Sequence, residues 1–129
     1  MKGKLYGIGI GPGDPELLTL KAVRLIREAD VIAVPGKVKT ETVAYQITVQ
    51  AVPEIAEKEC LEVYYPMSKD PDVLERCHTE AAMQIEAVLK EGKNVAFLTL
   101  GDTSVYSTYL YVHTKIMEMG YEAEIVSGI

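Results

Sequence analysis

Cysteine is scarce in this sequence, and basic residues show no excess. Two cysteines, Cys60 and Cys77, occur in 129 residues, and no Cys-x-x-Cys spacing is present. This pattern argues against a disulfide framework and against a zinc site, so we expect no metal centre. The formal net charge is −6, whereas proteins that bind nucleic acid present a basic face to the phosphate backbone. The composition therefore argues against a nucleic-acid partner.

Long hydrophobic runs are also missing. No stretch approaches the length of a membrane span, and the N-terminus lacks the apolar core of a signal peptide. The composition, with 48% hydrophobic and 25% charged residues, is ordinary for a globular chain. We therefore expect a cytoplasmic protein without a membrane partner, whose 129 residues suffice for one domain with a core.

Two common nucleotide motifs are missing as well. No Gly-x-x-x-x-Gly-Lys-Ser/Thr sequence occurs, which argues against a P-loop kinase or ATPase. A Gly-x-Gly-x-x-Gly fingerprint fails in both possible registers: starting at Gly7 it would need a glycine where Pro12 stands, and starting at Gly9 it would need one at Asp14. The second predicted strand, at residues 30–34, also lacks the terminal acidic residue that holds a ribose in the Rossmann fold.

Glycine and proline are instead concentrated at residues 7–15, which read Gly-Ile-Gly-Ile-Gly-Pro-Gly-Asp-Pro. This stretch follows a short extended run at residues 4–6 and precedes a predicted helix at residues 16–29. Glycine lets a backbone approach a ligand closely, and proline stiffens the turn before the ligand arrives. A plainer alternative is a tight turn that needs glycine only for its φ angles. The apolar residues of the helix recur at helical spacing: Leu18, Ala22, Leu25, Ile26 and Ala29.

Further strands and helices alternate along the rest of the chain. Strands are predicted at residues 31–34, 61–65, 94–100 and 122–126, and helices from Thr40 or Thr42 to 52, then at 70–91 and 106–119. This alternation predicts an α/β fold with a five-stranded, mainly parallel sheet and helices on both faces. Gly92 and Gly120 are the expected helix stops. The expected apolar face of the third helix is Leu74, Cys77, Ala81, Ile85 and Val88, and that of the fourth is Tyr106, Tyr109, Leu110, His113, Ile116 and Met117.

A second glycine-containing stretch, at residues 98–108, reads Leu-Thr-Leu-Gly-Asp-Thr-Ser-Val-Tyr-Ser-Thr. Like the first, it joins the carboxyl end of a predicted strand to the start of a helix. Two such stretches at one edge of a sheet can hold a small molecule between their backbone amides. The alternative is that Asp102 and Ser104 only cap the next helix.

Taken together, the motifs resemble the N-terminal domain of the tetrapyrrole methylase family, over the whole chain. The matching segments are residues 9–15, 18–22, 29–32, 100–102 and 125–129. Tyr65-Pro66-Met67 and the Gly-Asp-x-x-x-Tyr-Ser-Thr run at 101–108 resemble the branch that methylates C(20) of precorrin-2 or cobalt-factor II. Two positions depart from relatives: Ser127 replaces a usual proline, and Val34-Pro35-Gly36 replaces the Tyr-Asp-Arg of uroporphyrinogen methyltransferases.

The resemblance implies an S-adenosylmethionine-dependent methyltransferase of cobalamin biosynthesis, with S-adenosylhomocysteine as its product. It implies a homodimer, and it makes residues 1–129 an N-terminal domain whose C-terminal partner domain would follow Ile129. The ending, just after a predicted core strand, also suggests the first half of a longer protein. The residues that the resemblance places beside the cofactor are Pro12, Leu100, Gly101, Asp102, Val105, Tyr106, Ser107 and Thr108.

The sequence identifies no catalytic base. Tyr106 is a conceivable hydrogen-bonding group, whereas His113 is expected to be a partly buried residue with its polar atoms satisfied. His78 stands beside Cys77, and one such pair does not make a metal site. We expect Lys37 and Lys39, which come after the second strand, to meet the carboxylates of a tetrapyrrole substrate.

Other functions remain open at this point. The chain could represent another member of the same family, such as a different corrin-ring methylase or diphthine synthase. It could be a binding module that holds a nucleotide-like ligand without chemistry. A mainly structural domain is the third alternative, because a mean hydropathy of +0.08 leaves room for exposed apolar surface.

Overall fold

The computed structural model describes residues 3–9, 20–35, 43–63, 70–99 and 103–126, without the side chains of 35, 43–44, 74 and 103–108. Five strands alternate with four α-helices, and one 3₁₀ turn comes after the second helix. The strands are β1 (Lys4–Gly9), β2 (Val31–Pro35), β3 (Glu59–Val63), β4 (Val95–Thr99) and β5 (Glu122–Val126). The helices are α1 (Leu20–Glu28), α2 (Val43–Ala51), α3 (Pro71–Leu89) and α4 (Thr103–Glu118), and the 3₁₀ turn is Pro53–Glu57.

All five strands form one sheet in the order β3-β2-β4-β1-β5, and every adjacent pair is parallel. The predicted parallel α/β fold is therefore confirmed. The central strand β4 is buried along its whole length. A strand buried on both faces reads as a continuous apolar run, which is how residues 95–98 read in the sequence.

Helices cover both faces of the sheet. On one face α1, α2 and the 3₁₀ turn pack on the sheet through residues that include Ala22, Leu25, Ile26, Tyr45, Ile47 and Ile55. On the other face α3 and α4 pack through residues that include Ala81, Ala82, Ile85, Leu89, Tyr109, Val112 and Ile116. The sheet thus separates two apolar cores, as the sequence pattern predicts.

The helical connections between successive strands change direction within the sheet, between β2 and β4. From β1 and β2 the chain passes to the face of α1 and α2, while from β3 and β4 it passes to the face of α3 and α4. The adjacent strands β2 and β4 therefore send their connections to opposite faces of the sheet. The connection from β2 leads to the edge strand β3, and the connection from β4 leads to the other edge strand, β5. In open α/β sheets, ligands bind outside the carboxyl ends of strands at such a point.

The amino edge of the sheet is closed by a polar clamp between Asp30 and Asn94. The Asn94 backbone N–H donates to Asp30 Oδ2 over 2.9 Å, and Asn94 Oδ1 accepts from the Lys4 backbone N–H over 2.9 Å. The Asn94 carbonyl also accepts from the backbone N–H groups of Asp30 and Val31. One asparagine thus joins the starts of three strands.

Several predicted boundaries need correction. β1 runs to Gly9 rather than ending at residue 6, β3 begins at Glu59 rather than 61, and α4 begins at Thr103 rather than 106. The 3₁₀ turn was not predicted, because Pro53 indicated only the end of a helix. The predicted first turn of α1 and the capping residues Thr40 and Thr42 lie outside the described residues.

The predicted helix faces are correct only in part. In α4 the buried stripe is Tyr109, Val112 and Ile116, whereas Leu110 and Met117 are exposed. In α3 the buried residues include Ala82 and Leu89, and Cys77 and Val88 are only half-buried. In each helix the buried stripe is displaced from the predicted one, since Ala82, Leu89 and Val112 are buried and were not predicted to be. The helix stops are confirmed, with φ of 87° at Gly92 and 93° at Gly120.

Candidate functional site

The two glycine-containing stretches begin at the same edge of the sheet. Gly9 and Thr99 are register partners at the carboxyl ends of β1 and β4. The chain continues from Gly9 into the first stretch and from Thr99 into the second. The described ends of β1 and β4 therefore lie side by side at the carboxyl end of the sheet. They are next to the boundary between β2 and β4, where the strand connections run in opposite directions.

Most of the predicted site residues lie outside the described part of the chain. This applies to Pro12, Leu100, Gly101 and Asp102 and to the lysines at 37 and 39. The backbone at residues 105–108 forms the first turns of α4, but the structure does not describe the side chains of Val105, Tyr106, Ser107 and Thr108. The structure does describe the supporting frame of the site, which consists of the carboxyl ends of β1 and β4 and the helix α4.

Thr99 links the ends of the two central strands. Its side-chain hydroxyl donates to the Ile8 carbonyl oxygen over 3.2 Å. Thr99 is 1% exposed, and the four other residues of β4 are apolar and fully buried. Burying a hydroxyl is costly unless it forms a hydrogen bond, so the bond to Ile8 accounts for a polar side chain here.

Gly7 accommodates the Tyr109 side chain. A Cβ atom built on Gly7 would overlap the ring and hydroxyl of Tyr109. The interpretation of Gly7 as a loop residue is therefore wrong, because it lies inside β1 and pairs with Phe97. A glycine in a strand often marks a close approach by another part of the protein. Here it lets α4 rest directly on β1.

The Tyr109 ring is held by two further aromatic contacts. Its hydroxyl lies 3.0 Å from His113 Nδ1, within hydrogen-bonding distance, and its ring centroid lies 5.1 Å from that of Phe97. Burial lowers the pKa of His113, which favours the neutral imidazole. His113 is thus a partly buried histidine with a polar partner, as predicted. This cluster sets the position of α4, whose N-terminus lies within the second stretch.

A second set of contacts fixes α4 against α3. Lys115 Nζ lies 2.6 Å from Glu75 Oε1, and this partnership holds the pKa of the Glu75 carboxyl below its usual value. The rings of His78 and Tyr111 stack with centroids 4.6 Å apart. His78 is buried, and its burial lowers its pKa. Residues 109–118 are therefore tied to both the sheet and α3.

Two observations concern other classes of site. Within the described ranges, no three His, Cys, Asp or Glu side chains come close enough together to hold a metal ion. In the same part of the chain, no helix is both long and apolar enough to cross a membrane.

Sequence reasoning missed Thr99, Gly7 and Tyr109 as parts of the site's frame. A threonine that ends an otherwise apolar strand was a signal for Thr99. The extended period-two run through residue 8 was a signal that Gly7 lies within a strand. Nothing local pointed to Tyr109 as the side chain that lies over it.

The fold is a parallel α/β sheet in which β1 and β4 end side by side, the arrangement at which open α/β sheets commonly bind a ligand. The chain belongs to the family of tetrapyrrole (corrin/porphyrin) methylases, whose sequence model matches residues 4–129.

Named relatives agree with this assignment. The chain is 42% identical over 127 residues to a protein of Methanocaldococcus jannaschii named probable cobalt-precorrin-2 C(20)-methyltransferase, and the match covers 98% of this chain and 53% of that protein. It is 34% identical over 117 residues to the cobalt-precorrin-2 C(20)-methyltransferase of Salmonella typhimurium, covering 90% and 48%. The chain therefore spans about half the length of these curated relatives.

A solved structure also matches. The crystal structure of uroporphyrin-III-C-methyltransferase from Thermus thermophilus superposes with a TM-score of 0.63 at 28% identity. The match covers 100% of this chain and 49% of that one. It agrees with the parallel α/β sheet described above.

The family resemblance implies S-adenosylmethionine as the methyl donor. At the described strand ends, Gly9 has no side chain to obstruct a ligand, and the end of β4 beside it is buried. The residues that would hold the donor are those of the two stretches, which lie outside the described residues apart from the strand ends and the backbone of 103–108. When bound, the donor would supply a methyl group on a sulfonium with a neutral leaving group.

Proposed function

We propose that this chain is the N-terminal α/β domain of an S-adenosylmethionine-dependent methyltransferase that acts on C(20) of precorrin-2 or cobalt-factor II in cobalamin biosynthesis. The observation that carries the proposal is the 42% identity, over 98% of the chain, to the relative of Methanocaldococcus jannaschii. The register pairing of Gly9 with Thr99 supports the proposal, because it places the ends of β1 and β4, from which the two glycine-containing stretches continue, side by side.

Methyl transfer from a sulfonium needs little covalent help from a protein. The main task is to hold the nucleophilic carbon in line with the methyl group, since correct positioning lowers the barrier by several kcal/mol. In this chain the rigid groups that serve positioning are the Thr99–Ile8 link and the Gly7–Tyr109 packing. No catalytic base is assigned.

We assign the substrate's carboxylates to Lys37 and Lys39, which come after the carboxyl end of β2. Reversing both charges to glutamate is expected to weaken tetrapyrrole binding while leaving the affinity for S-adenosylhomocysteine unchanged. Lys90 offers a matched control, because it is an exposed lysine at the end of α3, near the opposite edge. Unchanged tetrapyrrole affinity in the Lys37→Glu/Lys39→Glu variant would remove this assignment.

A uroporphyrinogen III methyltransferase is the alternative within the family that the solved structure raises. One feature of β2 disfavours it. The Tyr-Asp-Arg of those enzymes corresponds to Val34-Pro35-Gly36, so no carboxylate stands at this strand end. Val34, which stands at the position of the tyrosine, is fully buried in the core. We further propose that the protein is a cytoplasmic homodimer.

Calorimetric titration of S-adenosylhomocysteine tests the proposal. The ligand is titrated into the protein expressed from its complete reading frame and, separately, into residues 1–129 alone. Tight binding to the first and weaker binding to the second is the expected result, since the family resemblance implies that a second, C-terminal domain helps to hold the cofactor. Binding would then justify assays with precorrin-2 and cobalt-factor II. Absence of binding to both would overturn the methyltransferase proposal.

A further inference from the structure

We propose that Thr99 is a positioning residue for the methyl donor, acting through the spacing of the two glycine-containing stretches; this rests on the proposed function above. The side chain does not need to touch the ligand. Its hydroxyl joins β4 to β1 at the last register pair before both stretches leave the sheet.

The location of this bond distinguishes it from the ladder bonds inside the sheet. Ladder bonds inside β1 and β4 hold the strands together whatever the conformation of the loops beyond their ends. The Thr99 hydroxyl instead reaches the Ile8 carbonyl at the carboxyl end, one residue before Gly9. Gly9 and Thr99 are the last described residues of β1 and β4, and the rest of each stretch follows them in the sequence, so this bond limits how far the two strand ends can separate.

The burial of Thr99 protects the bond of its hydroxyl from competing water. The side chain is 1% exposed, so water competes little for the hydroxyl. A valine has the same shape and would suit the apolar strand, but it would leave the second lone pair of the Ile8 carbonyl without this partner. Small displacements matter at such a place, because a shift of about 1 Å in a positioned group can cost roughly 100-fold in rate.

The test compares Thr99→Val, which removes the hydroxyl and keeps the shape, with Thr99→Ser, which keeps the hydroxyl. Thr48→Val serves as the matched control, because Thr48 is also fully buried but lies in α2. The protein from the complete reading frame is titrated with S-adenosylhomocysteine. Thr99→Val is expected to raise the Kd by as much as about tenfold, the limit reached when the free energy of one hydrogen bond is lost from the bound state alone. Thr99→Ser should restore most of the affinity, and Thr48→Val should leave it unchanged.

Amide hydrogen exchange of the ligand-free protein gives a second readout, independent of any ligand. Thr99→Val should speed exchange at residues 9–10 and 100–101 relative to Thr48→Val at equal overall stability. Where Thr99→Val unfolds too readily, Thr99→Cys replaces it, since a thiol is a small apolar side chain with only a weak S–H donor. If wild type binds the ligand and Thr99→Val binds it equally well, Thr99 has no positioning role. If wild type itself does not bind, the methyltransferase proposal fails and the exchange result decides the role of Thr99 separately.

Discussion

Tyr109 of α4 rests on the backbone of β1 at Gly7, where any side chain would occupy the same space as its ring. This contact joins the strand that leads into the first glycine-containing stretch to the helix that begins in the second. The hydroxyl of Tyr109 is engaged by His113, so the ring has a fixed orientation. β1 and α4 therefore pack closely because Gly7 has no side chain and the large Tyr109 ring occupies that space.

Adding a single methyl group at Gly7 tests this packing. Gly7→Ala should reduce the free energy of unfolding by about 1–3 kcal/mol, the usual cost of overpacking a core. The measurement is urea denaturation followed by far-ultraviolet circular dichroism. The displaced α4 should also weaken binding of S-adenosylhomocysteine, because the first turns of that helix carry predicted cofactor residues.

The control for this prediction is a double-mutant cycle with Tyr109→Leu, which removes the ring and hydroxyl atoms that the new Cβ would meet. In that background Gly7→Ala should cost less than about 1 kcal/mol, since neighbouring substitutions couple when one relieves the other. An equal cost in both backgrounds would mean that Gly7 is required for some reason other than Tyr109.

Lys58 closes the C-terminal end of α1. Its ammonium donates to the carbonyl oxygens of Arg27 and Ala29 over 2.8 and 2.6 Å. A cation at this end of a helix also interacts favourably with the helix dipole. Lys58→Met keeps the aliphatic stem and should lower the free energy of unfolding by about 1–2 kcal/mol, because bonds to a charged group are lost.

Lys93→Met provides the comparison for Lys58. Lys93 forms exposed ion pairs, with Glu59 at 3.8 Å and Glu91 at 3.4 Å. Such pairs contribute about 0–1 kcal/mol, so the loss in this variant should be smaller. Equal losses in the two variants would show that the carbonyl bonds of Lys58 add nothing beyond a surface charge.

The stability of the protein should fall as the pH is lowered from 7.5 to 5. Burial places the pKa of His78 below its ordinary value of 6.5 in the folded protein. The unfolded chain then binds a proton more readily than the folded one, so stability is fully present above 6.5 and decreases as the pH falls through that value. His113, whose pKa burial also lowers, acts in the same direction.

Two variants separate these contributions in urea titrations across this pH range. His78→Phe keeps a ring to stack on Tyr111 but cannot titrate, so its stability should depend less on pH. His113→Asn keeps a polar group near Tyr109 and should have a similar effect. The Glu75 carboxyl, whose pKa Lys115 lowers, loses its stabilising contribution only as the pH falls below its ordinary value of 4.5, outside this range. A pH dependence that both variants leave intact would contradict the assignment to these histidines.

Asp30 offers a matched pair of substitutions at the amino edge. Asp30→Ala removes the acceptor for the Asn94 N–H and should cost about 1 kcal/mol of unfolding free energy, the net value of one such bond. Asp30→Asn retains an acceptor oxygen and should cost less. Neither variant should alter the affinity for S-adenosylhomocysteine, since the clamp lies at the edge opposite the two stretches. A change in affinity with either variant would contradict that separation.

The sequence predicted the elements that depend on local pattern. The apolar run of β4 and the helical spacing of Ala22, Leu25 and Ile26 identified a buried strand and the packed face of a helix. The parallel arrangement could be deduced from the alternation of strands and helices. Strand order could not, because it depends on which crossovers skip a strand.

Features of the site that depend on a distant residue could not be predicted. A glycine looks the same in a sequence whether it forms a turn or accommodates a ring, and the ring that decides the matter at Gly7 lies in α4. The value of the Thr99 hydroxyl depends in the same way on the Ile8 carbonyl. The family motifs located the stretches that would bind the donor. The contacts that support these stretches, between Thr99 and Ile8 and between Gly7 and Tyr109, could be seen only in the structure.

The polar clamp that holds the strands together lies at the amino ends of the strands, whereas the stretches proposed to bind the methyl donor lie at the carboxyl ends. Asn94 joins the starts of β1, β2 and β4 through bonds to Lys4, Asp30 and Val31, all at the edge opposite the two stretches. Insertions or exchanges at the carboxyl edge would therefore leave these bonds in place. Such a scaffold can change the ligand it serves by altering its loops, and grafting the loops of one relative onto another becomes a practical route to new methylation sites.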